Sequence, residues 1–170
     1  PAPDAIETAV ATLTATANTG DINIDQTGNV TATLTAGADV KLNVNNTLIT
    51  GGAWSARSFD IDAAGTITFG HSVTASGPLG IDVGTSAGGN IVVNAALTSS
   101  TGGTRIKLDA DGSISGTGTI TSPTVDLDAD NGIDDTTGPS GLRLAASFIS
   151  ADNSEAADVS ISNSLVTAVP

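Results

Sequence analysis

The chain reads as an all-β, parallel β-solenoid, and three observations lead there. Short runs of the form apolar-x-apolar-x-small recur along it: Ile22-Asn23-Ile24-Asp25, Leu42-Asn43-Val44-Asn45, Phe59-Asp60-Ile61-Asp62-Ala63, Leu79-Gly80-Ile81-Asp82-Val83, Ile106-Lys107-Leu108-Asp109-Ala110 and Val125-Asp126-Leu127-Asp128-Ala129. Alternation with period two is the pattern of a strand with one buried face. The runs return about every 17 to 20 residues, the spacing of coils that stack on one another. The large side chains that fill a sandwich are also scarce. Three Phe and one Trp stand with no Tyr, Met or Cys, so Val, Ile, Leu and Ala must fill a narrow interior.

Residues 1–19 form an opening, capping segment in which Thr12-Leu13-Thr14-Ala15-Thr16 reads as a strand. From Gly20 each strand follows a Gly/Ala–Asn/Asp pair, a turn signal. Residues 51–57, with Gly51-Gly52 and Trp54, break the rhythm, and so do residues 84–90; the strand 90–95 fits between neighbouring repeats. Residues 105–133 are the most regular, with three short strands per coil and glycines at corners that require positive φ. Residues 147–170 are looser. No composition shift divides the chain, so 1–170 is one domain of about eight or nine turns of roughly 19 residues, a rod on the order of 40 Å long.

Charge narrows the partners. The net charge is −13, from 18 acidic against five basic side chains. Phosphate recognition needs Lys and Arg clusters, so neither nucleic acid nor an anionic membrane surface fits. No apolar run reaches the length of a membrane span. The absence of Cys excludes disulfide staples and thiolate metal sites. Pro1 as first residue in a chain without Met reads as a mature or excised piece, and the composition points to an extracellular or bacterial cell-surface location.

The stretch 105–133 resembles the haemagglutination-type repeats of filamentous-haemagglutinin-like exoproteins, the adhesins of two-partner secretion. The likeness is carried by Leu108-Asp109-Ala110-Asp111-Gly112-Ser113-Ile114, by Gly118-Thr119-Ile120, and by Val125-Asp126-Leu127-Asp128-Ala129-Asp130-Asn131-Gly132-Ile133. Weaker copies cover 20–95. The resemblance implies a right-handed parallel β-helix, an extracellular location and a structural role. The Asn-Pro-Asn motifs of that family's secretion domain are lacking here, so the resemblance implies a stalk segment. No catalytic residues carry over.

Candidate sites are few. Asp126, Asp128, Asp130 and Asp134-Asp135 have the oxygen-rich spacing of a calcium loop, but Gly132 falls one place late for an EF-hand and no Glu closes it. The alternation of Asp126 and Asp128 with Val125 and Leu127 favours a solvated strand face. Asp60, Asp62, Asp82, Asp109, Asp126 and Asp128 occupy outward positions on successive strands, with Lys41 and Lys107 relieving their repulsion. His71, beside Ser72 and with Asp60 or Asp62 a coil away, sketches a base and nucleophile; a corner residue is the plainer reading. Trp54 with Arg57 is the candidate ligand contact, a sugar platform, against a plug over a widened turn. Thr-x-Thr runs at 12–14, 31–33, 66–68 and 119–121 invite comparison with ice-binding ladders, but their uneven spacing implies a broken ladder.

The expected function is therefore a structural stalk of an exported bacterial surface adhesin or filament-forming protein, with no enzymatic activity and no cofactor. The alternative is a glycan- or ice-binding module. Expected partners are copies joined end to end into fibres and a host or cell-surface glycan or protein.

Overall fold

The computed structural model describes residues 4–99, 104–134, 141–155 and 157–164. Their secondary structure is all β, with no helix. The strands are β1 (Ile6–Thr8), β2 (Thr12–Ala17), β3 (Ile22–Gln26), β4 (Val30–Ala36), β5 (Asp39–Val44), β6 (Leu48–Thr50), β7 (Trp54–Ala63), β8 (Ile67–Phe69), β9 (Val73–Thr85) and β10 (Ile91–Val93). They continue as β11 (Leu97–Ser99), β12 (Arg105–Ala110), β13 (Ile114–Ser115), β14 (Thr119–Thr121), β15 (Thr124–Ala129), β16 (Ile133–Asp134), β17 (Leu142–Ala145), β18 (Phe148–Asn153) and β19 (Ile161–Asn163).

Every pairing between these strands is parallel, and each strand bonds to its counterpart one coil away. The result is a β-solenoid of about eight turns. The first face stacks β1, β3, β5, the second half of β7, the second half of β9, β12, β15 and β18. The second stacks the start of β4 on β6, then β8, β10, β13 and β16. The third stacks the end of β4 on the start of β7, then the start of β9, β11, β14, β17 and β19. In the first two coils the second and third faces run on as one strand, β2 over β4. Backbone bonds carry the stack from coil to coil. Val30 N–H donates to Thr47 C=O (3.0 Å), Leu48 N–H to Thr66 C=O (3.0 Å), and Ile67 N–H to Asn90 C=O (2.9 Å).

Parallel in-register stacking puts like on like. On the first face Ile24, Leu42, Ile61, Val83, Leu108 and Leu127 form one inward column. The second contributes Val30, Leu48, Ile67, Ile91, Ile114 and Ile133. The third contributes Trp54, Val73, Leu97, Ile120 and Leu144. All of these are buried. Because each strand is covered only on its inner side, the chain alternates buried residues with half-buried or exposed ones, as in Asp39–Val44 and Arg105–Ala110.

The spacing of about 19 residues holds where coils are regular, as from Leu108 to Leu127. Elsewhere the step ranges from 18 residues (Ile24 to Leu42) through 25 (Val83 to Leu108) to 26 (Ile133 to Val159). The extra residues leave at corners. Between Ala75 and Gly80 a short protrusion puts Leu79 in solvent, 72% exposed. The apolar run beginning at Leu79 therefore enters the core only at Ile81. Gly80 makes the turn, with φ of 77° and the Arg105 carbonyl where a Cβ would go. Gly116 does the same at another corner, with φ of 131° against the Val93 carbonyl.

Residues 4–19 fold as the first coil, laid on the second through β1 and β2. The inward column beyond Val44 ends in Gln26 rather than an aliphatic residue. Its Nε2 donates to the carbonyls of Val10 (2.9 Å) and Thr27 (2.8 Å), and its Oε1 accepts from Thr8 Oγ1 (2.5 Å). A buried amide at this rung satisfies backbone groups of the first coil, beneath it, and of its own turn. At the other end β18 is exposed along most of its length, with Phe148 at 71%.

Two substitutions test this architecture. Leu108→Ala should lower unfolding stability by about 2–5 kcal/mol, because coils packed on both sides cannot collapse into the cavity. Gly116→Ala should destabilise although it adds only a methyl group, because its φ and the Val93 carbonyl leave no relaxed position. Urea denaturation followed by circular dichroism reads both; wild-type midpoints would refute the corresponding packing.

Candidate functional site

The outward side of the first face is the most distinctive surface of the molecule. Stacking divides its acids into two columns. One runs Asn23, Lys41, Asp60, Asp82, Lys107, Asp126 and Ser150. The other runs Glu7, Asp25, Asn43, Asp62, Gly84, Asp109, Asp128 and Asp152. The six acids read as equivalent from sequence are thus split, with Asp60, Asp82 and Asp126 in the first column and Asp62, Asp109 and Asp128 in the second.

Cations sit among them, as expected for Lys41 and Lys107. Lys41 Nζ donates to Asp60 (2.6 Å), and Lys107 Nζ to Asp109 (2.8 Å). Arg105 lies between Asp82 and Asp126, at 3.7 and 3.9 Å, bridging the rungs on either side of its own. Arg57 holds Asp39 through Nε (3.0 Å) and Nη2, and Ser58 donates to the same carboxylate (2.7 Å). Four of the five basic side chains in the chain are therefore spent on this face and its margin.

Compensation is uneven along the stack. The Arg57 hydrogen bond pulls Asp39 below the ordinary carboxylate value, outweighing the opposing effect of burial. Asp60 holds Lys41, and Asp109 holds Lys107, above the usual lysine value. Asp62 is pushed up by burial first and by Asp60 second. Asp128 is also raised, by burial and then by Asp109 and Asp152 directly below and above it. Asp109, Asp128 and Asp152 thus stack three carboxylates at strand spacing, with Lys107 bonded to Asp109 as the nearby cation.

Along the edge of the second column runs an open groove of about 650 Å³. Glu7, Asp25, Asn43, Asp62 and Thr85 contribute to its wall. Asn43 Nδ2 donates to Asp25 (2.6 Å) within it. Sequence spacing alone did not reveal this groove, since it depends on which rung follows which.

The other candidates lie apart from one another. Trp54 is inside the solenoid, 1% exposed. Its ring stacks on Phe59 at 6.0 Å between centroids, and Nε1 donates to the Ala32 carbonyl (2.8 Å). It fills the widened turn as a plug, with no ring face toward solvent. Arg57 is exposed but occupied by Asp39, so the two do not form a joint contact. His71 occupies the corner between the second and third faces. Its Nδ1 bonds the Thr50 carbonyl (2.9 Å), and its backbone N–H donates to Thr50 Oγ1 (2.9 Å). Asp60 and Asp62 are on the first face, so no base–nucleophile pairing with His71 and Ser72 is assembled.

Asp126 and Asp128 point outward from β15 in different columns, Asp130 accepts a hydrogen bond from Ser154, and Asp134 is on the second face. Asp135 lies outside the described residues. Among the described residues no group of three or more His, Asp or Glu side chains is arranged to hold a metal ion. No protein family, curated protein or solved structure matches the chain.

The Asp109–Asp128–Asp152 stack carries a test. Asp128→Asn should raise stability by about 0.2–1 kcal/mol at neutral pH, the range for like charges facing each other across strands. A raised carboxylate pKa means the folded state holds its proton more tightly than the unfolded chain. Asp62 and Asp128 therefore add stability as pH falls from 7 through their folded values. Asp39, depressed below 3.8, contributes stability at neutral pH that is lost only in stronger acid. Melting temperature against pH should rise and then fall, and Asp128→Asn should show the smaller rise. An unchanged or lower melting temperature for the variant at pH 7 would show that the stack is not strained.

Proposed function

We propose that the chain is a stalk segment of an exported bacterial surface adhesin or filament-forming protein, of the filamentous-haemagglutinin-like kind that residues 105–133 resemble. The observation that carries this reading is the unbroken stack of about eight parallel coils, with aliphatic columns running its length. Such a stack resists bending, because each coil is tied to the next by backbone bonds and by a dry core. A stiff spacer holds whatever it carries at a fixed distance. The acidic first face supports the same reading, since strong like charge keeps neighbouring rods soluble and apart. Among the described residues no strand pairs with the outer edges of β1 and β18, which fits either a continuing coil of a longer chain or a second copy joined end to end.

The test is reach. The segment is inserted between an outer-membrane anchor and an epitope tag, and epitope height is measured by atomic force microscopy. A stalk should give a fixed height that grows with tandem copies and is lost when a Gly/Ser linker of equal residue count replaces it. Equal heights for solenoid and linker would overturn the stalk reading, as would glycan-degrading activity in the purified chain.

A further inference from the structure

The third face carries a column that the uneven sequence spacing hides. Thr16, Thr35, Ser55, Thr74, Thr98 and Thr121 stand directly over one another on six successive rungs. The Thr-x-Thr runs at 12–14, 31–33 and 66–68 do form a broken ladder, with Ile49 between Thr31 and Thr68 on the second face; the continuous column is a different one, held in register because surplus residues leave the coil at corners. Two residues earlier on the same coils come Thr14, Thr33, Ala53, Ser72, Ala96 and Thr119, with Thr14 and Thr33 in register. Rungs repeat at about 4.8 Å and alternate outward residues of one strand at about 6.7 Å. Hydroxyls therefore repeat rung by rung along the first column, with γ-methyls at every Thr, and Thr14, Thr33, Ser72 and Thr119 add hydroxyls beside it.

A separate observation concerns charge. No acidic side chain among the described residues lies on a strand of this face; Arg143 is on its seventh rung, and Arg57, two residues after Ser55 on β7, stands at its margin paired with Asp39. In a chain of net charge −13, six rungs free of charge set this surface sharply apart from the first face.

Size and shape then select the partner. Six rungs span a strip of roughly 25 by 10 Å, far below the roughly 800 Å² per partner of a stable protein interface. The strip offers no concavity to enclose a soluble sugar, as small-ligand sites do. It carries no aromatic ring to stack on a polysaccharide, since Trp54 is buried behind it. A partner that is itself a lattice remains: one whose weak contacts add up rung by rung and which accepts both neutral hydroxyls and methyl groups. We infer that the third face adsorbs ice, with the hydroxyls joining the lattice waters and the γ-methyls seated in its open rings. The inference stands apart from the stalk reading.

The intact chain is mixed into water frozen slowly onto a cold finger, and protein in ice and liquid is compared. The wild type should be taken up into the ice and should give thermal hysteresis. Thr74→Lys and Thr98→Lys, singly and together, should leave the protein in the liquid with unchanged circular dichroism; the single variants decide the matter if the double one misfolds. Asp60→Asn on the first face should be taken up like the wild type. Exclusion of the wild type from ice to the same degree as serum albumin would overturn the inference. So would persistent uptake of folded lysine variants, or binding to microcrystalline cellulose without binding to ice.

Discussion

Everything in this molecule follows from one constraint: the parallel backbone ladder that fixes each side chain over its counterpart about 4.8 Å away. Inside the coil the constraint is favourable. Ile24, Leu42, Ile61 and Val83 meet residues of their own kind, and a column of aliphatics excludes water without large aromatic rings. Outside, the same rule works against the protein wherever like charges align, as in Asp109, Asp128 and Asp152. The sequence answers by placing Lys41 and Lys107 within an acidic column and Arg105 beside it, where one cation can serve the rung above and the rung below. Arg105, between Asp82 and Asp126, shows the device most clearly.

The ladder fixes register but leaves coil length free. A coil can take 18 or 25 residues, provided the surplus leaves at a corner and the next strand re-enters in phase. Loop-closure entropy grows slowly with length, so such insertions are tolerated. Gly80 and Gly116 mark corners where the neighbouring coil's carbonyl presses against the turn and only a residue without a side chain fits. A one-residue slip would turn Ile61 or Leu108 to solvent, so the aliphatic columns themselves hold the phase that the loops do not.

This separation explains what was legible in the sequence. Period-two alternation is local, so the strands, the aliphatic interior and the three strands per coil could be read directly from runs such as Val125–Ala129. Column membership is not local. It depends on which residue lies one coil away, and with a variable coil length that offset cannot be counted. Asp60 and Asp62 therefore looked equivalent although they belong to different columns, and the Thr/Ser column went unseen because of its members only Thr121 stands in the Thr-x-Thr runs, while Thr74 lies over Ser55 and under Thr98. Trp54 was ambiguous for a related reason. Its Gly-rich surroundings mark a corner, and only the adjacent coils show that the ring turns inward onto Phe59. Leu79 misled in the opposite way, as an apolar residue at a strand's apparent start that the Gly80 turn leaves outside.

The cross-section is electrically lopsided as a result. Acids and most of the bases crowd the first face, while the third is nearly free of both. Opposite walls of a solenoid lie on the order of 10 Å apart, like packed sheets, and the Debye length at physiological ionic strength is about 8 Å. An object meeting the third face through solvent is therefore separated from the carboxylates by more than a screening length on the solvent path. The net charge that keeps the rod soluble need not be felt there. A thin solenoid can thus combine a repulsive flank with a neutral one, because the register that concentrates charge on one face equally excludes it from another.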